Sequence, residues 1–350
     1  MVRLSHTILN FRQEMKQLLI TGSFGFVGSH LSAHFLRKGW QVQLLDIPNH
    51  PRKAEVLAWL HQLGSPKLIE SDICDQQSVL EAVQNCDEVI HCAALLNSTA
   101  PLSLFRRINV EGTRTVCTAC LHAGVKHLTL ISTSDVFGIP VQGEVLTEES
   151  PYSPWSEPYA DTKIEAAEYV RSLRNRGELN VSIVYPGWVY GPGDRQFFTA
   201  VTDMVKDGLV FTWHRKQPMQ IYFVYIDDLV CGVDTIITSQ VSHNRDYLLL
   251  DPNSGITPLD LFNTIAAYGG HSIKHIHVPY PLMMLVAKAS QTCAQYKIIN
   301  APLLTTTDVK AFGNQFCFST ARAQRELNWE PAMPAAEGIK HALDWQTANL

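Results

Sequence analysis

The chain has 350 residues, of which 46% are hydrophobic and 17% charged, so it can form one or two globular domains and is not disordered. Its net charge of −5 and its pI near 6.3 give no reason to expect a nucleic-acid partner. No apolar run reaches the roughly 18 residues that a membrane-spanning helix needs, and the N-terminus lacks the apolar core of a secretory signal.

Residues 1–16 form an N-terminal extension ahead of the first predicted strand. Leu4, Ile8, Phe11 and Met15 share one helical face of this segment. A locally packed or poorly ordered extension is the simplest interpretation. The alternative is an arm that packs on the protein body, on a partner subunit or on a membrane surface.

A glycine-rich turn between a strand and a helix is the strongest motif of the chain. The stretch from Gln17 to Gly28 reads QLLITGSFGFVG, and apolar residues continue at helical spacing up to Gly39. Gly22, Gly25 and Gly28 let the backbone turn tightly and let a pyrophosphate approach the N–H groups at the helix N-terminus. The spacing is G-x-x-G-x-x-G and not the G-x-G-x-x-G of the standard fingerprint. We expect a dinucleotide here, the alternative being a glycine-rich turn without a ligand.

The second predicted strand, Gln41 to Leu45, leads directly into Asp46. A carboxylate at this position can accept hydrogen bonds from both ribose hydroxyls of an adenosine, but it repels a 2′-phosphate. The sequence therefore predicts NAD as the cofactor and disfavours NADP.

Strands and helices alternate through the first half of the chain, which predicts a parallel sheet covered on both faces. The predicted strands are Leu18–Ile20, Gln41–Leu45, Lys67–Glu70, Val89–Ala93, His127–Ser132, Asn180–Tyr185, Ile221–Tyr225 and Asp246–Leu250. The predicted helices lie at 29–39, 54–63, 77–84, 104–123 and 159–174, and the chain after residue 256 is mainly helical.

The predicted fold class is α/β, a Rossmann-type doubly wound parallel sheet with a smaller, mainly helical C-terminal substrate domain. After the extension at 1–16, the NAD-binding domain comprises 17–186 with strands near 221–228 and 246–250. The substrate-binding domain comprises 187–220 and 251–350. Ligands of such sheets bind at the carboxyl ends of the strands.

Tyr159 and Lys163 form Y-x-x-x-K, which places both side chains on one face of a helix. A free phenol has a pKa of about 10, and a neighbouring ammonium and a cationic nicotinamide would both lower this pKa. Tyr159 could then exchange a proton with a substrate hydroxyl. Thr133, at the end of a predicted strand, can hydrogen-bond the substrate oxygen. Asn109, a poor helix former in mid-helix, is predicted to bond the backbone or a water that leads to Lys163.

No metal site is predicted. Cys117 and Cys120 form a single C-x-x-C inside a helical pattern, without a second pair. His271, His275 and His277 lie close together, but no further ligand accompanies them. The eight cysteines are scattered through apolar runs, which favours buried, reduced thiols.

A set of motifs along the chain resembles the extended short-chain dehydrogenase/reductases, the superfamily of NAD-dependent epimerases and dehydratases. In order, the motifs are TGSFGFVG, Asp46, the Asp72-Ile73 pair, HCAA, INVEGT, STSDVFG, YADTK, YPGWVYGPGD, FVYIDDL and STARAQRELNWEP. The resemblance runs from about residue 17 to the C-terminus and implies a Rossmann fold with Thr133, Tyr159 and Lys163 as catalytic trio. From the residues themselves, we add Asn109 to the candidate catalytic residues. The implied cofactor contacts are Gly22, Phe24, Gly25, Phe26, Val27, Gly28, Asp46, Asp72, Ile73, Ala93, Ala94, Tyr159, Lys163, Pro186 and Val189.

Departures from the family pattern narrow the choice of substrate. Dehydratase-type members carry two acids directly after the catalytic threonine, where this chain has Ser134 and Asp135. Nucleotide-sugar enzymes usually have Arg-Asp where this chain has Ile221 and Tyr222, so the phosphate-binding arginine is missing there, although Arg215 and Lys216 lie nearby and could replace it. The apolar stretch PYPLMMLVA and the segments around it look most like the 3β-hydroxysteroid dehydrogenase branch.

The sequence therefore predicts an NAD-dependent oxidoreductase of a hydrophobic secondary alcohol or ketone. A nucleotide-sugar 4-epimerase that retains its NAD is the first alternative, and a non-catalytic dinucleotide sensor is the second. The resemblance also implies a homodimer through the helices at 104–123 and 159–174. The expected location is the cytoplasm, with peripheral attachment to a membrane as the alternative.

Overall fold

The computed structural model of the protein describes residues 16–96, 100–141, 143–195, 197–215, 217–299 and 302–349. The amphipathic face predicted for the N-terminal extension lies outside these residues. No helix within the described ranges combines the length and the apolar character needed to cross a lipid bilayer.

A seven-stranded parallel sheet forms the centre of the protein, in the order β10-β6-β5-β4-β1-β2-β3. The strands of the chain are β1 Gln17–Thr21, β2 Gln41–Asp46, β3 Lys67–Glu70, β4 Glu88–His91, β5 His127–Ile131, β6 Val181–Pro186, β7 Trp188–Tyr190, β8 Leu209–Thr212, β9 Phe223–Tyr225, β10 Asp246–Leu249 and β11 Lys274–His277. The direction of chain progression reverses between β1 and β4, which is where such sheets open a crevice for ligands. The predicted fold class is confirmed.

Helices cover both faces of this sheet. They are α1 Phe26–Arg37, α2 Lys53–Leu60, α3 Gln76–Val83, α4 Leu102–Phe105, α5 Gly112–Ala123, α6 Pro158–Asn175, α7 Phe197–Lys206, α8 Ile226–Thr238, α9 Pro258–Gly269, α10 Tyr280–Gln295, α11 Thr306–Gly313, α12 Ala321–Leu327 and α13 Ala335–Asn349. Strand side chains alternate between the two faces, so Leu18 and Ile20 of β1 enter the core with α1 and α8. Leu19 enters the core with α3, α5 and α6.

The helix predicted at 104–123 is present and contains one wider turn. The segment Arg106–Glu111 is a π-helical turn that joins α4 to α5 without a break. Turns of this kind are frequent at functional sites, and this one carries Asn109. The sequence did not predict the wider turn, because 3.6-residue periodicity does not register it.

The strand predicted at 221–228 does not join the central sheet. It is reduced to β9, which pairs with β7 in a separate two-stranded parallel sheet, with Trp188 opposite Phe223. By contrast β10, the strand predicted near 246–250, joins the central sheet and pairs with β6 at its edge. The described chain after β10 is mainly helical, and its strand β11 pairs with β8. The division into a cofactor domain and a substrate domain stays a prediction.

A buried polar cluster lies at the amino-terminal edge of the central sheet. His127 Nδ1 is 3.2 Å from Glu88 Oε2, and the ring of His127 stacks on that of His243 at 3.9 Å with an interplanar angle of 6°. One potential ligand atom from each of Glu88, His127 and His243 lies within 4.8 Å of the others. Burial raises the pKa of Glu88 to about 7, whereas burial lowers the pKa of His127 to about 4.

We expect Glu88→Gln to stabilise the protein at alkaline pH. Because the pKa of Glu88 is raised on folding, its contribution to stability is present below about pH 4.5 and is lost as pH rises through about 7. The glutamine does not ionise, so the variant escapes a loss of at most roughly 3 kcal/mol. Thermal unfolding at pH 5 and pH 8 measures this, and the advantage of the variant should grow with pH. The exposed Glu81→Gln is the control, and an equal effect of Glu88→Gln at both pH values contradicts the prediction.

Candidate active site

The glycine turn between β1 and α1 has no room for side chains. Gly22 adopts a positive φ of +66°, and its N–H donates to Leu45 O at 2.9 Å. A Cβ on Gly28 would lie 2.1 Å from Gly22 O, and a Cβ on Gly22 would lie 2.7 Å from the backbone of Ala93. The glycines thus bring the turn, α1 and the end of β4 into direct backbone contact.

Asp46, at the end of β2, is tied to this turn. Its Oδ2 accepts from Phe24 N–H at 2.7 Å and its Oδ1 accepts from Ile47 N–H at 2.8 Å. Burial raises the pKa of the Asp46 carboxyl, although these hydrogen bonds oppose the rise. The ring of Phe24 is fully buried in the core, so only its backbone faces the turn. The carboxylate predicted to select NAD is therefore held at the mouth of the turn.

The residues around the turn fit a dinucleotide. The first helical hydrogen bond of α1 runs from Ser29 N–H to Gly25 O, which leaves the N–H groups of residues 26–28 at the helix N-terminus. The first turn of α1 contains no acidic residue that would repel a phosphate. Within the described ranges, the buried hydroxyls of Ser23 and Ser132 have no hydrogen-bond partner. These two serines were not predicted from the sequence, because no spacing distinguishes them from ordinary strand-end serines.

The other predicted adenosine contacts lie near the ends of β3 and β4. Asp72 accepts from Cys74 N–H at 2.9 Å and forms an ion pair with Arg107. Ile73 is buried in the core. Just after the end of β4, Ala93 donates its N–H to Thr21 Oγ1 at 3.3 Å, and Ala94 follows Ala93 in the loop. All lie at the carboxyl edge of the sheet, on the side of the glycine turn.

The predicted catalytic residues meet at the same edge, where α6 packs against the end of β5. Lys163 is buried, and its Nζ donates to Ile131 O at 2.7 Å. Two residues beyond Ile131, Thr133 Oγ1 accepts from Asp135 N–H at 3.2 Å. Burial lowers the pKa of Lys163 to about 8, so its ammonium form prevails at neutral pH. The structure thus brings together the β5 end and the Y-x-x-x-K helix.

The surroundings of Tyr159 favour the neutral phenol. Burial raises the pKa of Tyr159, and the nearby carboxyls of Asp135 and Glu157 raise it further. This direction is opposite to the lowered pKa that the Y-x-x-x-K pattern suggested for the complete site. Burial also raises the pKa of Asp135 to about 6, with a hydrogen bond from Thr133 opposing and Glu157 adding to the rise. An additional positive charge beside Tyr159 is therefore needed to stabilise its phenolate.

Asn109 holds the loop after β4 against α6. Its Oδ1 accepts from Leu95 N–H at 2.7 Å, and its Nδ2 donates to Leu95 O at 3.2 Å and to Thr162 Oγ1 at 3.1 Å. Thr162 precedes Lys163 on α6. The predicted bond to the backbone is present, and Asn109 joins the loop after β4 to the residue that precedes Lys163 on α6.

Two residues just before α6 were not predicted from the sequence. Glu157 caps α6, accepting from the N–H groups of Tyr159 at 3.1 Å and Ala160 at 2.9 Å. Trp155 donates its Nε1–H to Asp135 O at 2.6 Å, and its own N–H donates to Asp161. An acid before Pro158 at a helix start is an N-cap signal that could have identified Glu157.

The end of β6 is supported by a buried polar network. Tyr185, next to the predicted cofactor contact Pro186, is fully buried, and its hydroxyl lies 2.5 Å from that of Tyr152 and 3.1 Å from Arg171 Nη2. Arg171 also donates to Asp246 at 2.9 Å. A guanidinium from α6 thus reaches the end of β6 and holds the buried Tyr185 hydroxyl. The predicted contact Val189 lies half-buried in β7.

Positions 221 and 222, where the Arg-Asp pair is missing, carry an isoleucine and a tyrosine and therefore no cation. Ile221 is fully buried, and the Tyr222 hydroxyl donates to Phe316 O. Trp188 packs edge-on against both Phe197 and Phe312, with ring centroids 4.9 Å apart in each pair. The surroundings of Trp188 are therefore apolar. The two predicted substitutes are Arg215, whose guanidinium lies 4.6 Å over the ring of Tyr280, and Lys216, which lies outside the described residues.

Comparisons with known proteins agree with this geometry. A family model described as the NAD dependent epimerase/dehydratase family matches residues 18–249. The chain is 23% identical to 3beta-hydroxysteroid-dehydrogenase/decarboxylase isoform 1 of Arabidopsis thaliana, over 96% of this chain and 81% of the relative. It is also 23% identical to a 3-beta-hydroxysteroid dehydrogenase of Mycolicibacterium neoaurum, over 96% of this chain and 93% of the relative. A dTDP-glucose 4,6-dehydratase structure from Streptomyces venezuelae, with NAD bound, shares the fold at a TM-score of 0.75 and 21% identity, over 95% of this chain and 97% of that one.

Proposed function

The chain belongs to the NAD dependent epimerase/dehydratase family and is an enzyme acting on an alcohol group, and from this premise we propose that it oxidises or reduces a hydrophobic secondary alcohol or ketone with NAD. The observation that carries the proposal is the Lys163–Ile131 hydrogen bond of 2.7 Å. It fixes the Y-x-x-x-K helix to the strand that leads into Thr133. The proton-transfer residues therefore lie at the same edge of the sheet as the glycine turn.

Each residue of the trio has a separate task in this proposal. Tyr159 exchanges a proton with the substrate hydroxyl, and Thr133 orients the oxygen of that hydroxyl. Lys163 supplies a buried positive charge at the end of β5, and this charge would favour the phenolate of Tyr159. When bound, NAD supplies the hydride acceptor and a further positive charge.

We propose NAD rather than NADP as the cofactor. The glycine turn, the N-terminus of α1 and Ser23 would hold the pyrophosphate, and Asp46 would hold the adenosine ribose. The bonds that Asp46 accepts from Phe24 and Ile47 keep its carboxylate fixed at the turn. A 2′-phosphate would meet the negative charge of this acid at close range.

Two observations support a hydrophobic substrate. Ile221 and Tyr222 give no guanidinium for a sugar-nucleotide diphosphate, and the partly buried rings of Trp188, Phe197 and Phe312 pack together in an apolar cluster. The two relatives named above are described as 3β-hydroxysteroid dehydrogenases. We propose a sterol-like alcohol as the substrate class. The cytoplasmic location and the homodimer remain predictions.

A nucleotide-sugar 4-epimerase is the second candidate, because the same trio could serve a transient ketone with NAD retained. A non-catalytic sensor would have no need of a buried lysine fixed beside Thr133.

Incubation of the purified protein with NAD or NADP and a panel of 3β-hydroxysterols and UDP-sugars separates the candidates. We expect NADH and a ketosteroid with NAD, and little product with NADP. UDP-sugar interconversion without NADH would favour the epimerase, and cofactor binding without turnover of any substrate would favour the sensor.

A further inference from the structure

Helix α10 is apolar on two opposite sides. One side carries Tyr280, Met283 and Ala287, which are buried in a small core with Val309 of α11. The other side presents large apolar side chains to solvent, and Leu285 is 64% exposed. A helix that is packed on one side normally carries polar residues on the other. Burial in the core of this chain therefore does not explain why the exposed side of α10 is apolar.

The exposed apolar surface continues beyond the helix. Leu303 is 90% exposed, the highest value among the large apolar side chains of the described ranges. We define the α10 surface by its six most exposed apolar side chains, Leu282, Leu285, Val286, Tyr296, Ile298 and Leu303. Clustered exposure of this kind marks an interaction site more often than scattered single residues do.

The charge of this segment indicates the kind of partner. The whole chain has a net charge of −5, yet no acidic residue occurs between Asp260 and Asp308. Lys274, Lys288 and Lys297 lie in this interval, and within the described part of the chain none of them forms an ion pair. At the start of α10, Arg215 lines an open groove of about 640 Å³. Exposed apolar side chains among unpaired cations match the surface of an anionic bilayer.

We propose that the α10 surface binds peripherally to membranes rich in anionic phospholipid. Leu282, Leu285 and Val286 would enter the headgroup region, and Lys288 and Lys297 would contact lipid phosphates. This membrane site differs from the membrane arm considered for residues 1–16, because it is formed by helix α10 and the segment that follows it.

The buried side of α10 packs against α11, and α11 in turn contacts the segment that precedes the Y-x-x-x-K helix. Lys310 of α11 donates to Trp155 O at 3.4 Å, and Trp155 donates to Asp135 O. A sterol-like alcohol dissolves in the bilayer and not in water, so this placement would shorten its path to Tyr159. Only this statement on access depends on the proposed function; membrane binding itself does not.

Vesicle co-sedimentation of the full chain, without NAD or substrate, tests the proposal. We expect binding to phosphatidylcholine vesicles that contain phosphatidylserine and much weaker binding to phosphatidylcholine alone. Leu285→Glu should weaken binding at least about tenfold, because a carboxylate replaces an inserted leucine. The Lys288→Gln/Lys297→Gln double variant should weaken binding to the anionic vesicles by roughly tenfold or more. The control is Val241→Glu, a substitution at a 71% exposed valine outside the α10 surface, which should leave binding unchanged.

Three outcomes overturn the proposal. They are absence of binding to anionic vesicles, equal losses for Leu285→Glu and Val241→Glu, and a concentration-dependent dimer in light scattering that Leu285→Glu abolishes. The last outcome would assign the α10 surface to a second copy of the chain. Dehydrogenase activity on detergent-dispersed sterol is measured separately, so failure of membrane binding is distinguishable from failure of the proposed function.

Discussion

Replacing Tyr159 by phenylalanine should reduce turnover by about 100-fold to 10,000-fold, the range that a positioned proton donor or acceptor contributes. Within the described ranges the Tyr159 hydroxyl forms no hydrogen bond, so its removal breaks no contact of the fold. NAD affinity and thermal stability should therefore stay close to those of the unaltered protein. Steady-state rates, NAD titration and thermal unfolding of the same preparation measure the three quantities.

The matched control for this substitution lies on the same helix. Tyr169 is half-buried in α6, and its ring packs under the guanidinium of Arg114 at 5.2 Å, away from Lys163. Tyr169→Phe should leave turnover unchanged. If Tyr159→Phe retains normal turnover, the proton-transfer role is refuted. If both variants lose activity equally, the effect belongs to the helix and not to the hydroxyl.

Gly28→Ala should weaken NAD binding at least about tenfold. The added Cβ would lie 2.1 Å from Gly22 O and 2.9 Å from Gly22 C, both backbone atoms of the turn that would hold the pyrophosphate. Because α1 continues directly from this position, relief of the clash requires the turn and the helix to separate. Overpacking of this kind typically costs about 1–3 kcal/mol, and each 1.4 kcal/mol corresponds to a tenfold change in affinity.

A second glycine serves as control for Gly28→Ala. A Cβ on Gly64 would meet the side chain of Leu36, to which its three nearest non-adjacent atoms belong, and the nearest of them, Cδ2 at 3.1 Å, is the end of that side chain. Gly64→Ala should therefore bind NAD normally. Calorimetric titration measures both affinities, and circular dichroism reports whether each variant is folded. Unchanged NAD affinity in a folded Gly28→Ala variant would exclude the glycine turn as the cofactor site.

The parts of the fold that were predictable depend on short-range patterns. The strand, glycine turn and helix around Gly22 follow from residues within one stretch, and Asp46 follows because parallel strands end at a common edge. Lys163 could be placed on the same helix face as Tyr159 because α-helical spacing is regular. Each of these features needs only the geometry of a strand or a helix.

The features that were missed depend on contacts between distant segments. A three-residue strand such as Phe223–Tyr225 carries too little pattern to identify its partner, and tertiary packing assigns it to β7. The raised pKa of Tyr159 arises from burial and from the approach of Asp135, which no helical spacing reports. Likewise, the support of Tyr185 by Arg171 joins two elements whose relation appears only after folding.

The central claim is that hydride leaves the carbon of a hydrophobic alcohol while Tyr159 takes the proton of its hydroxyl. The most direct test is a single turnover with NAD and a 3β-hydroxysterol that carries deuterium on the carbinol carbon. We predict that the deuterium appears in the NADH, in an amount equal to the ketone formed, and that Tyr159→Phe shows no such transfer. Deuterium that stays in the sterol while the purified protein binds neither NAD nor NADP would contradict the account.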